Sequence, residues 1–184
     1  HGRGLAQFVA DAAMTIGPVE PSLSPSMDIQ VPSNLERLLH ELFDDDGAAV
    51  SETICTLRST GAMALDSKLH ARIGEHWSAA TIDDDETLEI IADVHESTGR
   101  LIDPHTAVGL GAARKNPSDR TQVVMATAHP AKFPNAVEDA TGRWPDLPPN
   151  LDDLFDADED GITPHQRIYC DVVATVMDEA ATAR

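Results

Sequence analysis

The run Val123-Val124-Met125-Ala126-Thr127-Ala128, bounded by Arg120 and Pro130, decides the fold class. A continuous apolar stretch of this length reads as a strand buried on both faces, and such burial belongs to a parallel sheet covered by helices. Thr127 carries the only hydroxyl in the run and stands just before the turn His129-Pro130. In open α/β sheets, ligands bind beyond the carboxyl ends of the parallel strands, where Thr127 would present that hydroxyl. The alternative is a packed strand residue whose hydroxyl bonds the local backbone.

Outward from this run, helix signals dominate. Downstream, Pro134 to Thr141 predicts a short helix, followed by a proline-rich connector. Thr163-Pro164 then opens a last amphipathic helix with Ile168, Tyr169, Val172, Val173, Val176 and Met177 inward. Upstream, Asp103-Pro104 supplies an N-cap and a proline at the first helical position, and that helix runs to Asn116-Pro117. Ala107, Gly109, Gly111, Ala112 and Ala113 line it, small enough for another backbone or a ligand to approach closely. The acidic group Asp83 to Glu86 favours a helix N-terminus, and Gly99 ends that helix.

Towards the N-terminus, His76 to Ala80 is a candidate short strand, and two helical stretches, 49–59 and 62–75, are separated by Ser59-Thr60-Gly61. Ser33-Asn34-Leu35-Glu36 has the pattern of a capping box, with Leu35, Leu38, Leu39, Leu42 and Phe43 on one face and Asp44-Asp45-Asp46-Gly47 as the stop. Residues 18–32 carry four prolines and predict a short strand followed by an ordered loop. Leu5, Phe8, Val9 and Ala12 form the stripe of an opening helix that Gly17 and Pro18 terminate. The resulting expectation is an α/β fold, rich in helix, with a short and mostly parallel sheet. Its parts are an opening helix within 1–17, an α/β core over 18–145 carrying strand 123–128, and a C-terminal connector and helix over 146–184.

Composition excludes several classes. Thirteen Lys and Arg against 32 Asp and Glu give a net charge of −19, so nucleic acid is an unsuitable partner. Cys55 and Cys170 lie far apart without a CxxC spacing, which excludes a disulfide scaffold or a cysteine-rich zinc site and fits reduced thiols in the cytoplasm. No apolar run approaches the roughly 18 residues a membrane span needs, and the first residues lack the layout of a signal peptide. The chain opens on His1 rather than methionine, as an internal piece of a longer polypeptide would.

Local motifs are weaker. Asp156, Asp158, Asp160 and Gly161 imitate the start of a calcium loop, but Pro164 and Arg167 occupy two later ligand positions, so a solvated acidic loop competes with a calcium-binding module. Gly109-Leu110-Gly111 lies inside a helix and Arg114 stands where a dinucleotide fingerprint needs glycine. His40-Glu41 and His95-Glu96 lack the second histidine of an HExxH zinc site, and no GxSxG elbow is present. The reading therefore names no metal ligands and no catalytic residues in this chain.

Four ordered blocks are more specific. SPSMDIQVPSNLERLL at 24–39, ETICTLRSTG at 52–61, IDPHTAVG at 102–109 and ATAHPAKFPNAVEDATG at 126–142 resemble the C-terminal part of the threonine synthase family. The resemblance implies a helix-rich fragment of the large domain of a fold type II pyridoxal-phosphate enzyme, which converts O-phospho-L-homoserine and water to L-threonine and phosphate. It implies that Thr127, the threonine of ATAHPAKF, faces the cofactor's pyridine nitrogen. A neutral hydroxyl there cannot stabilise a pyridinium as an aspartate can, so the electron sink is moderated.

The family's Schiff-base lysine lies in an FKD-type stretch nearer the N-terminus, and its phosphate-holding GNFG-type loop also precedes this region. Lys68, Lys115 and Lys132 stand in no such context, so this chain alone is expected to be inactive and to depend on the N-terminal remainder of the same polypeptide. Asp28, Ser33, Asn34 and Arg37 lie in a family-like block that could border the active site, but the capping box already explains Ser33 and Glu36, so they are read as structural. His105 and Thr106 are read first as a helix cap and second as active-site residues. A serine or threonine dehydratase of the same fold type is the rival within the class.

Overall fold

The computed structural model describes residues 3–149 and 151. Residues 1–145 form one compact unit and 146–184 another. The expected final helix and the acidic 156–160 loop lie outside the described residues.

The first unit contains two hydrophobic cores. Around the first are α1 (Arg3–Asp11), β1 (Ala13–Thr15), α2 (Leu35–Leu42), α3 (Gly47–Thr60), β2 (Ala62–Ala64) and α4 (Ser67–His76). Phe8, Leu39, Leu57 and Ile73 are wholly buried at its centre. The two strands pair antiparallel, with Met14 opposite Met63, and both methionines are buried while their exposed neighbours Thr15 and Ala62 face the other way. Around the second core are α5 (Asp84–Thr98), α6 (Pro104–Lys115) and α7 (Pro134–Thr141), packed on Ile82, Ile91 and Ala107. Gly111 permits this packing, because a β-carbon there would stand 2.7 Å from Ile90 Cδ1 and 2.8 Å from Ile82 Cδ1.

A loop running from 16 to 34 joins the two. Leu23 N–H donates to Asp84 Oδ1 at 3.1 Å and Ser26 N–H to His105 Nε2 at 3.3 Å. The Ser22 hydroxyl and backbone N–H both donate to the Asp28 carboxylate, which rounds the loop around a 3-10 turn at Pro25–Met27.

The helix-rich architecture agrees with the expectation, and most helix ends fall where their punctuation predicts. Asp83 and Asp103 cap α5 and α6 through their side chains, and Gly99 and Gly142 end α5 and α7 at φ 72° and 68°.

The sheet differs from the expectation. Its two strands are antiparallel, not mostly parallel, and lie at 13–15 and 62–64. Ala12 turns the chain at φ 52°, so α1 stops at Asp11 and a strand precedes Gly17. Residues 18–32 contain no strand, and the expected strand from His76 to Ala80 is absent, since His76 ends α4 and Trp77 to Ala80 are irregular. The stretch 62–75 divides into β2 and α4, because Asp66 caps a new helix by accepting from Leu69 N–H. The Ser33–Glu36 capping box does not form: backbone turns satisfy the start of α2, and Glu36 pairs instead with Arg58 at 3.5 Å.

The run 123–128 has no strand partner among the described residues. Val123 and Met125 are 80% and 72% exposed. The physical reason is that apolar content does not itself make a strand; a ladder needs a neighbouring backbone, and none of the described segments supplies one.

Candidate functional site

The site begins at the N-terminus of α6. Asp103 is buried and its side chain collects three donors: the His105 backbone N–H at 2.9 Å, His105 Nδ1 at 3.0 Å, and the Thr106 hydroxyl. On the other side of the ring, His105 Nε2 accepts from Ser26 N–H. These partners fix the neutral tautomer with its proton on Nδ1. The ring also lies against Phe133, with centroids 4.6 Å apart at a tilt of 56°. Thus a single imidazole ties the helix start to the Ser26 loop and to the turn that follows Thr127.

Beyond His105 opens a cavity of about 450 Å³ between α6, Met27 and the extended segment 122–127. Gly109 gives the segment its seat, for a β-carbon there would stand 3.1 Å from Val124 Cγ1. Thr127 is exposed on the cavity wall, and its hydroxyl has no hydrogen-bond partner among the described residues. Local backbone bonding, the bland alternative for this residue, is therefore absent.

Other residues weighed on sequence lie elsewhere. Thr106 is spent on Asp103. Asp28 holds Ser22 and lines a different cavity, of about 350 Å³, with Gln7 and Gln30. Ser33, Asn34 and Arg37 are exposed and line neither cavity. None of the three lysines lines the Thr127 cavity; Lys115 bonds Glu86 at 2.7 Å and the Thr81 carbonyl at 3.0 Å. Among the described residues there is no cluster of three metal-ligating side chains, and no helix is long and apolar enough to cross a membrane.

Sequence reasoning missed the Ser26 N–H and Met27, whose proximity to α6 is a long-range contact with no local signal. Gly109 was visible as a small residue, but not what approaches it.

A family profile described as threonine synthase, C-terminal, matches residues 106–167. Threonine synthase of Pseudomonas aeruginosa is 42% identical over 144 residues, covering 77% of this chain and 31% of that protein. The Saccharomyces cerevisiae threonine synthase is 34% identical over 140 residues, covering 66% of this chain and 27% of the relative. Among solved structures, PLP-bound threonine synthase from Brucella melitensis has a TM-score of 0.78 at 41% identity, covering 84% of this chain and 34% of that one. The yeast threonine synthase structure gives a TM-score of 0.74 at 27% identity, covering 85% of this chain and 36% of that one. This chain thus spans about a third of the length of the relatives it matches. With its helix-rich fold and four ordered sequence blocks, the chain belongs to the threonine synthase family.

Proposed function

We propose that the full polypeptide to which this chain belongs uses pyridoxal phosphate to convert O-phospho-L-homoserine and water into L-threonine and phosphate in the cytoplasm, and that this chain forms the wall facing the cofactor's pyridine nitrogen. The observation that carries the reading is Thr127, an exposed residue lining a cavity of about 450 Å³, whose hydroxyl is unpaired among the described residues. A hydroxyl so disposed fits a ring nitrogen, because it can donate one hydrogen bond without bringing a charge. The names and the bound PLP of the similar proteins support the same cofactor.

When bound, pyridoxal phosphate supplies the electron sink for proton removal next to the amino-acid nitrogen. The contributions of this chain are binding and orientation. Thr127 donates to the ring nitrogen and keeps the sink moderate, since a neutral partner stabilises the ring cation less than a carboxylate would. Asp103 holds His105 in one tautomer, and His105, which lines the cavity, ties the Ser26 loop and Phe133 to the start of α6. The base and the substrate-phosphate loop come from the N-terminal remainder of the same polypeptide.

The test is turnover. Full-length protein with pyridoxal phosphate should release phosphate from O-phosphohomoserine and form threonine in equal amounts, while the isolated chain should release none. Release of a 2-oxo acid and ammonia from serine or threonine, without phosphate turnover, would replace this reading with a dehydratase. Phosphate release by the isolated chain would overturn the division of roles.

A further inference from the structure

We propose that Gly109 is a positioning residue of this site: by carrying no side chain it lets Val124 seat directly on α6, and that seat sets where the Thr127 hydroxyl stands. The inference rests on the proposed role of Thr127.

Segment 122–127 has no backbone ladder among the described residues to fix its register. At its start, Gln122 Nε2 donates to the Asn116 carbonyl at 2.9 Å; beyond its end, the chain enters the 3-10 turn Pro130–Lys132. Between these anchors Val123 and Met125 face outward, so Val124 is the side chain that turns towards α6. The distance of 3.1 Å from a β-carbon at 109 to Val124 Cγ1 is closer than ordinary van der Waals contact, so a β-carbon there makes the Val124 methyl give by a few tenths of an ångström; with no ladder among the described residues to hold it, the segment shifts with that side chain. Thr127 follows three residues along the same extended chain and shares the same cavity. Gly111 serves another purpose, because its neighbours are Ile82 and Ile90. Glycine weakens a helix interior relative to alanine, so position 109 carries a cost in α6 that the close approach explains.

This makes an unusual separation of stability from site geometry testable. In full-length protein, Gly109→Ala, Gly109→Val, Val124→Ala and the double variant Gly109→Ala with Val124→Ala are compared by pyridoxal-phosphate titration and by thermal unfolding of the cofactor-free form. Losing one hydrogen bond costs up to about tenfold in binding, so the cofactor Kd should rise about two- to fivefold for Gly109→Ala and about tenfold for Gly109→Val. The thermal midpoint of cofactor-free Gly109→Ala should not fall, since the helix is strengthened. The double variant should bind as tightly as Val124→Ala alone, because removing the valine methyls clears the added carbon. An unchanged Kd in Gly109→Val, or additive losses in the double variant, would overturn the inference. Thr127→Val, measured in parallel, separates the two claims. If it alters cofactor binding while Gly109→Val does not, only the positioning role fails; if it alters neither Kd nor cofactor absorption, the Thr127 reading fails and this inference with it.

Discussion

Asp103 shows how much one buried carboxylate can organise. Three donors converge on it at the start of α6, and they include the ring that borders the cavity. Asp103→Ala leaves those donors without their acceptor, and each unsatisfied buried group costs about 1–3 kcal/mol, so a loss of about 3 kcal/mol or more is expected. Asp103→Asn retains one acceptor oxygen for His105, and its amide can donate to a Thr106 hydroxyl that rotates to accept. A loss of about 1 kcal/mol is expected there. Urea unfolding of both variants, followed by helical circular dichroism, checks the order; equal losses would mean that charge at the helix start, rather than hydrogen bonding, dominates. The capping role of Asp103 was legible because Asp-Pro is a local signal. That His105 also borders a cavity was not, since its second partner, Ser26, lies 79 residues away in sequence.

Helix α5 begins with a capping box in which Asp83 accepts from Glu86 N–H at 2.9 Å and Glu86 reaches back to Asp83 N–H at 3.3 Å. Lys115, at the end of α6, bonds the same glutamate. The Lys115 ammonium, helped by the Asp83 N–H, holds the Glu86 carboxyl below its ordinary value of 4.5. A group whose folded value is depressed contributes stability that is fully present above the unfolded value and is lost as pH falls through the folded one. The link between the two helices should therefore survive at neutral pH and weaken only below pH 4.5. Glu86→Gln should flatten that part of the acid dependence, with a small loss at neutral pH because the pair is exposed. Urea midpoints measured across the acidic range read this directly, and an unchanged acid slope would show that the pair does not couple to folding.

The same element explains what sequence reveals. Caps and glycine stops are written in two or three adjacent residues, which is why 83–99, 103–115 and 134–141 were predicted closely. Strands depend on partners distant in sequence. Hence 13–15 and 62–64 were not found as strands, and Val123 to Ala128 was read as one without a ladder to hold it.

At the level of the molecule, the apolar run still carries information. Val123 and Met125 are among the large hydrophobic side chains left exposed in a chain that spans about a third of its relatives. On the proposed function the remainder of the polypeptide covers this run and supplies its strand neighbours, along with the base. The family was legible because four ordered blocks are specific together, whereas the cavity needed a structure to bring Met27, α6 and 122–127 together. The central claim is that the Thr127 hydroxyl meets the cofactor's ring nitrogen. The measurement that tests it most directly is the nitrogen-15 NMR shift of ring-labelled pyridoxal phosphate bound to full-length protein, with and without Thr127→Val. The account predicts an unprotonated, hydrogen-bonded nitrogen in the unaltered protein and a clear displacement of its resonance when the hydroxyl is removed. An identical resonance in both proteins would contradict it.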